Sequence, residues 1–217
     1  MKNIPRIFIG NDLHENMELP AGDDAAHYLR RVMRTDNFLA FGAGREFNAV
    51  LSADGRRFII GAQTTHTDPS GHATLYFAPI KKTDDLINMA TQMGTARFVP
   101  VITERTTAHH INWNRMEKIA IEAAEQSNRN SVPEIAQPVK FADLDLSQLA
   151  FADERAAHGR DLTANINANS ILVGPEGGFS DAEFAALDAA HAQGMSLGRT
   201  ILRAELAAAV AIMKINK

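Results

Sequence analysis

Two glycine-containing loops near the C-terminus carry the residue types best suited to a ligand site. The first, Gly174-Pro175-Glu176-Gly177-Gly178, follows the apolar run Ile171-Leu172-Val173. The second, Leu197-Gly198-Arg199-Thr200, precedes Ile201. A phosphate-binding loop uses lysine and hydroxyl groups, whereas the first loop carries a carboxylate and no lysine, so it would repel a polyphosphate. Three glycines without a cation favour a ligand contacted closely by backbone groups, such as an adenine-bearing cofactor.

Two charged residues follow the second loop, at the predicted start of the last helix. Glu205 has a sufficient structural explanation, because the helix dipole favours a carboxylate in the first turn. Arg203 has none, because a cation at a helix N-terminus is mildly unfavourable. The position of Arg203 therefore indicates a functional role.

A basic face is predicted on a helix that runs from Asp24 to about Arg34. His27, Arg30, Arg31 and Arg34 stand at i, i+3, i+4 and i+7, while Leu29, Val32 and Met33 take the opposite side. A solvated surface is the plainer interpretation. However, four cationic or titratable groups with no acid among them would suit contacts with phosphates.

A polar cluster, Glu125 to Asn130, is predicted where an amphipathic helix starting near Trp113 meets a loop. Capping and turn formation account for Asn128 and Asn130. The grouping of a glutamate, Gln126 and Arg129 fits a structural or a functional role equally well.

Composition bounds the function without deciding it. The 217 residues are 45% hydrophobic and 22% charged, contain no cysteine and carry a formal net charge of −4. Disulfides and cysteine-based zinc sites are excluded, and the histidines are not at metal-binding spacing, so no metal site is expected. The start lacks the apolar core of a signal peptide and no stretch is long enough to span a bilayer, so a cytoplasmic location is expected. The net charge argues against nucleic-acid binding, but a local basic surface can override it.

The pattern of elements changes along the chain. Residues 1–68 contain short β-like runs, one helix and turn signals such as Asp54-Gly55, which favour a small β-barrel. Beyond a linker ending at Gly71, strands alternate with helices, which favours a parallel sheet covered by helices. Ser180 and Glu183 predict a capping box on a helix that ends near Gly194. The last helix is apolar on nearly every face, which predicts burial in the core and in a dimer interface.

Several of these segments together resemble the SPOUT class of knotted RNA methyltransferases, and within it the ribosomal RNA small-subunit methyltransferase E family. The resemblance rests on Leu172–Glu183, on Leu197-Gly198 with Ile201-Leu202-Arg203 and Glu205, and on Ile119–Ser127 with Arg129 and Val132–Ile135. Weaker similarity lies at His27–Leu29, Val32–Arg34, Val99–Val101 and Glu104-Arg105.

The resemblance implies an α/β fold with an N-terminal PUA-like RNA-binding β-barrel (1–68) and a C-terminal SPOUT domain (72–217) with a deep trefoil knot at about 170–217. It implies a homodimer that uses S-adenosylmethionine to methylate uridine N3 in small-subunit (16S) ribosomal RNA. The cofactor would be held by Leu172, Val173, Gly174, Glu176, Gly177, Gly178, Ser196, Leu197, Gly198, Ile201 and Leu202. RNA, as the ribosomal RNA or the small ribosomal subunit, would be contacted by His27, Arg30, Arg31, Arg34, Gln126 and Arg129, with Arg129 supplied by the partner subunit.

The expected catalytic residues are Arg203 and Glu205. Arg203 would stabilise negative charge on the uracil, and Glu205 would orient Arg203 or accept the N3 proton. The chain departs from the family pattern at Thr200, Ala204 and Leu206. A SPOUT methylase of another RNA position, or a non-catalytic RNA-binding protein, therefore remains an alternative.

Overall fold

The computed structural model of the protein describes residues 4–10, 12–68, 71–108, 112–160, 162 and 166–216. The chain folds into two units. The first unit comprises Met1–Pro69 and Ala124–Val132, and the second comprises Ser70–Ala123 and Pro133–Lys217. The polar cluster after the amphipathic helix thus belongs to the first unit, although it stands far from the rest of that unit in the sequence.

The first unit is built on a five-stranded sheet with the order β1-β3-β4-β5-β2. Its strands are β1 (Arg6–Phe8), β2 (Glu18–Pro20), β3 (Asn37–Gly42), β4 (Arg45–Leu51) and β5 (Arg57–Gln63). Among the described strand pairs of this sheet, only β1 and β3 are parallel. Alternating residues such as Phe38, Phe47, Leu51, Phe58 and Ile60 face one core. The predicted hairpin at Asp54-Gly55 is confirmed, and the predicted strands match β1, β3, β4 and β5.

The predicted helix of this unit is only partly α-helical. α1 spans Asp23–His27 and continues as a π-helix from Tyr28 to Met33. It ends at Arg34, which has a left-handed backbone with φ of 53°. Leu29 is buried, but Val32 is 61% exposed, so the side that the pattern assigned to Leu29, Val32 and Met33 is not uniformly buried. The α-helical period of 3.6 residues does not hold where the hydrogen bonds run from i to i+5.

The second unit contains a seven-stranded sheet in which every described pairing is parallel. The order is β12-β10-β11-β6-β7-β8, with β9 also paired to β7. The strands are β6 (Thr74–Phe77), β7 (Arg97–Ile102), β8 (Glu134–Ile135), β9 (Val139–Lys140), β10 (Ala150–Ala152), β11 (Ser170–Val173) and β12 (Gln193–Met195). The central strands are buried apolar runs, as expected for a sheet covered on both faces.

The remaining helices are α2 (Thr83–Gln92), α3 (Trp113–Gln126), α4 (Asp181–Ala189) and α5 (Ala204–Ile215). Short 3-10 helices span Phe141–Asp143, Leu146–Gln148 and Glu154–His158. The capping box on α4 is confirmed. The predicted extent of this helix was too long, because the chain leaves the helix at Ala189 and Gln193–Met195 then joins the sheet as β12. Within the described ranges, no helix is long and apolar enough to cross a membrane.

Candidate active site

A cavity of about 480 Å³ lies in the second unit, beside the ends of β10 and β11. Ligands in parallel α/β sheets bind at this edge, where the strands give way to loops. Both glycine-containing loops contribute to its wall. The predicted residues that line it are Val173, Gly174, Glu176, Gly178, Leu197, Gly198, Ile201, Leu202, Arg203 and Glu205.

Three predicted cofactor residues, Leu172, Gly177 and Ser196, are not among the residues that line the cavity. Leu172 is fully buried in β11. The carbonyl oxygen of Gly177 accepts a hydrogen bond from Arg105 Nη1 at 2.9 Å. The Ser196 hydroxyl lies 3.4 Å from the Gly198 amide, and the Ser196 carbonyl accepts from Lys214 Nζ at 2.7 Å. These groups fix the positions of the two loops.

The first loop needs glycine at two of its positions for steric reasons. Gly178 has φ of 68°, which is strained for a residue with a Cβ atom, and a Cβ atom there would also push aside the flexible carboxylate end of Glu154. A Cβ atom at Gly174 would lie 3.2 Å from the ring of Phe179, tighter than ordinary contact. The loop therefore passes close to its neighbours and presents backbone to the cavity.

A turn after β7 braces the same loop from outside. Arg105 Nη1 also donates to the carbonyl of Phe179 at 3.1 Å. The Glu183 carboxylate accepts from the amide of Ser180 at 2.9 Å and from that of Glu104 at 2.9 Å. The capping box thus joins α4 to the turn that carries Arg105, a link that the sequence showed only as weak similarity at Glu104-Arg105.

Glu176 plays a part that its residue type did not reveal. Its Oε1 atom accepts from the backbone amide of Lys81 at 3.1 Å. This hydrogen bond holds the segment after β6 against the first loop and brings Lys81 and Lys82 to the cavity wall.

Arg203 and Glu205 both line the cavity, as their neighbouring positions at the start of α5 require. Arg203 is the exposed N-cap residue, and Glu205 is only 7% exposed. Glu205 Oε1 lies 3.5 Å from Lys82 Nζ, so the buried carboxylate has a cationic partner. Sequence reasoning missed Lys82, although a Lys81-Lys82 pair shortly after a buried strand was a usable signal.

Asp153 and Arg155 anchor the 3-10 helix Glu154–His158, which places Glu154 on the cavity wall. Asp153 is 2% exposed and accepts two hydrogen bonds from the Arg155 guanidinium, each at 2.8 Å, and one from the Arg155 backbone amide at 3.1 Å. Arg155 and Arg160 also bind Asp188 of α4. Hydrogen bonds from Arg155 and then Arg160 lower the pKa of Asp188 to about 2. The bond to Asp153 is the main cause that raises the pKa of Arg155.

The predicted RNA-contacting residues lie in the first unit and differ in exposure. His27, Arg30, Arg31, Arg34 and Gln126 are exposed. Arg30 has a structural role, because its guanidinium donates hydrogen bonds to Asp36 and to the carbonyls of Ser52 and Ala53 in the β4–β5 turn.

Arg129 is buried, with 8% of its surface exposed. Desolvation lowers the pKa of its guanidinium, although Asp68 opposes this. The segment around it is held by Arg6, whose Nη2 atom donates to the Arg129 carbonyl at 3.1 Å and to Asn130 Oδ1 at 2.6 Å. Packing thus explains much of the polar cluster, and the predicted role of Arg129 in RNA binding stays a prediction.

Two of the histidines that are not at metal-binding spacing, His109 and His110, lie outside the described residues.

Known proteins resemble this chain along nearly its whole length. Residues 67–216 match the family model of the RNA methyltransferase domain. The ribosomal RNA small subunit methyltransferase E of Rickettsia conorii is 33% identical over 230 residues, covering 97% of this chain and 94% of that protein. The protein of the same name from Synechocystis is 32% identical, covering 88% and 70%. A crystal structure of the Neisseria gonorrhoeae ribosomal RNA small subunit methyltransferase E, bound to S-adenosyl methionine, superimposes with a TM-score of 0.81 at 26% identity, covering 98% of this chain and 97% of that one.

Proposed function

Because the chain belongs to the ribosomal RNA small subunit methyltransferase E family, we propose that it methylates N3 of a uridine in small-subunit ribosomal RNA with S-adenosylmethionine. The observation that carries the proposal is the cavity in the second unit. Two glycine loops, a buried carboxylate and an exposed arginine meet on its wall.

The chemistry of the cavity suits S-adenosylmethionine. Its volume lies within the range of small-molecule sites, and apolar residues such as Val173, Ile201 and Leu202 supply much of the lining. Glu154 and Glu205 place carboxylates on a wall that also carries Lys81, Lys82 and Arg203, so the cavity offers charged partners for both the cationic groups and the carboxylate of this cofactor. When bound, this cofactor supplies an electrophilic methyl group. Glycine backbone at Gly178 and Gly198 lets the loops approach it closely.

Arg203 and Glu205 divide the work of the reaction. The N3 atom of uridine carries a proton that must leave for nitrogen to act as nucleophile. The exposed guanidinium of Arg203 stabilises the negative charge that develops on N3 and the adjacent carbonyl oxygens. The Glu205 carboxylate accepts the proton, directly or through a water molecule, and Lys82 at 3.5 Å holds that carboxylate in position.

The basic helix of the first unit is the proposed RNA-holding surface. His27, Arg31 and Arg34 are exposed, and Gln126 presents an exposed amide. Contacts of this kind bind phosphates without reading sequence and make affinity depend on salt.

The finer fold that we propose is a PUA-like barrel in the first unit and a trefoil knot at about 170–217 in the second. Support for the knot comes from family membership and from the two glycine loops, which line a single cavity although about twenty residues separate them.

We further propose that the protein forms a homodimer through the surface of α2 and α5. We also propose that it methylates RNA in the cytoplasm. α2 packs against α5, and both helices expose large apolar side chains: Met89, Met93, Leu206 and Met213 are 38–47% exposed. Exposed apolar residues on adjoining helices favour a protein interface over isolated surface positions.

Methyl transfer to purified small ribosomal subunits tests the function. The wild-type protein is expected to transfer methyl groups, and Arg203→Ala to lose about 100- to 1,000-fold in rate at saturating cofactor. Arg199→Ala, which removes an exposed arginine that does not line the cavity, is the matched control and keeps its rate. A wild-type protein that binds RNA and cofactor without methyl transfer would instead be a non-catalytic RNA-binding protein.

A further inference from the structure

The basic helix of the first unit exposes an aromatic and an aliphatic side chain among its cations. Tyr28 is 37% exposed and Val32 is 61% exposed. They stand four residues apart in the π-helix, about one turn, so both project from the same side of it. Neither side chain belongs to the core cluster of this unit, in which the π-helix is represented by Leu29.

The backbone that presents these side chains is unusual and firmly anchored. π-helices are rare and are frequent at functional sites, and Arg34 closes this one in a left-handed conformation that costs energy for a residue with a Cβ atom. Arg30 ties the π-helix to the β4–β5 turn through two hydrogen bonds of 2.8 Å to backbone carbonyls. Tyr28 and Val32 are therefore held in place before any ligand arrives.

Tyr28 and Val32 are accompanied by exposed positive charge that could contact the phosphates of a nucleic acid. Arg31 and Arg34 are exposed, and neither forms an ion pair with another residue in the described part of the chain. The nearby acids are Asp36, which pairs with Arg30, the Asp23-Asp24 pair in the first turn of α1, and Asp54 in the β4–β5 turn, which accepts from Ser52 and from the Arg56 amide. An exposed ring flanked by unpaired guanidinium groups is the arrangement that binds single-stranded nucleic acid, by stacking a base and contacting its phosphates.

We propose that Tyr28 and Val32 form a stacking site for one unpaired base of the RNA substrate, with Arg31 and Arg34 on the adjacent phosphates. This inference rests on the proposed function, because it names the form of RNA that the basic helix binds. A duplex hides its base faces, so the site selects a single-stranded segment beside the target.

The test is the affinity of the full-length protein for a fluorescein-labelled single-stranded RNA of about twelve nucleotides. Tyr28→Ala is expected to weaken binding by about 5- to 100-fold, while the slope of affinity against salt stays the same, because stacking releases no counterions. Tyr28→Phe keeps the ring and is expected to bind within about twofold of wild type. Arg31→Ala is expected instead to reduce the salt slope by about 0.7.

Val50→Ala is the matched control for Val32→Ala, because Val50 is a 42% exposed valine on β4 of the same unit. The control is expected to bind as wild type, and Val32→Ala to bind more weakly. The inference is overturned if wild type does not bind the single strand, if Tyr28→Ala binds it normally, or if Tyr28→Phe loses as much as Tyr28→Ala. It is also overturned if Tyr28→Ala weakens a duplex of the same length equally. If the wild-type protein transfers no methyl group to small ribosomal subunits, the proposed function is overturned instead, whatever the binding results for the Tyr28 variants.

Discussion

The cavity of the second unit and the basic helix of the first are built in opposite ways. The cavity is concave, and its wall combines the backbone of two glycine loops with apolar side chains; hydrogen bonds from residues outside the wall, such as Arg105 and Lys214, hold the loops in shape. The basic helix is an exposed surface whose side chains themselves would touch the ligand. Loops that line a cavity depend on a few residues that fix their conformation, so one substitution there can have a large effect. An exposed surface binds through several side chains, so each substitution there removes only part of the affinity. This difference orders the predictions below.

The largest expected effect is from Gly178→Ala. At the positive φ of this position a residue with a Cβ atom is strained, and the Cβ atom would also displace the Glu154 carboxylate from its place at the cavity. Affinity for S-adenosylmethionine, measured by calorimetry, is expected to fall by on the order of 100-fold, while affinity for RNA stays unchanged. Gly177→Ala is the comparison, because a Cβ atom there would make only ordinary contact with Arg105, at 3.6 Å, and a much smaller loss is expected. Equal losses for both variants would contradict the steric account.

Removing a brace from outside the cavity should cost less. Arg105→Ala takes away two hydrogen bonds to carbonyls of the first loop without touching the cavity wall. Cofactor affinity is expected to fall by about tenfold, with the rate at saturating cofactor retained. Arg115→Ala, which breaks a surface ion pair with Asp84, serves as the control. A lower rate at saturation with unchanged affinity would mean that Arg105 acts in the chemical step.

On the basic helix, a double substitution should produce a moderate effect that depends on salt. Arg31→Ala with Arg34→Ala removes two exposed cations and is expected to weaken RNA binding by about tenfold at physiological salt. The loss should shrink as salt rises, and cofactor affinity should not change. A deficit that is equally large at high salt would show that the double substitution disturbs the fold rather than phosphate contacts.

The smallest expected effect is on stability and concerns Asp188, which pairs with Arg155 and Arg160 near the cavity. Because its pKa is lowered from 3.8 to about 2, the stabilisation is present above pH 4 and is lost as pH falls through this interval. Asp188 is largely exposed, so Asp188→Asn is expected to cost less than about 1 kcal/mol at neutral pH.

Thermal unfolding from neutral to acidic pH measures the effect of Asp188→Asn, with Asp143→Asn as the exposed control. The unfolding temperature of Asp188→Asn should converge with that of wild type near pH 2, because the carboxylate of wild type is then becoming protonated. Asp143→Asn should follow wild type at every pH. A difference between wild type and Asp188→Asn that grows as pH falls would have the wrong sign for this ion pair.

Local signals in the sequence were sufficient for much of the fold. The capping box of Ser180 and Glu183 and the turn at Asp54-Gly55 each depend on residues a few positions apart, and the structure contains both. β12 was missed because Gln193–Met195 is short and has no β-branched residue, so only its pairing with β10 makes it a strand.

The parts of the site that escaped prediction depend on contacts between distant positions. Glu205 and Lys82 lie 3.5 Å apart although 123 positions separate them, and no local pattern announces the pair. The π-helix was missed because hydrophobic periodicity assumes an α-helix. The burial of Arg129 had no local signal either, because the network around Arg6 that fixes its segment joins positions far apart in the sequence.

Nucleoside analysis of small-subunit ribosomal RNA tests the central claim most directly. A strain that lacks this gene is expected to lose N3-methyluridine, and the wild-type gene to restore it, whereas the Arg203→Ala gene does not. An unchanged nucleoside profile in the deletion strain would contradict the proposed reaction.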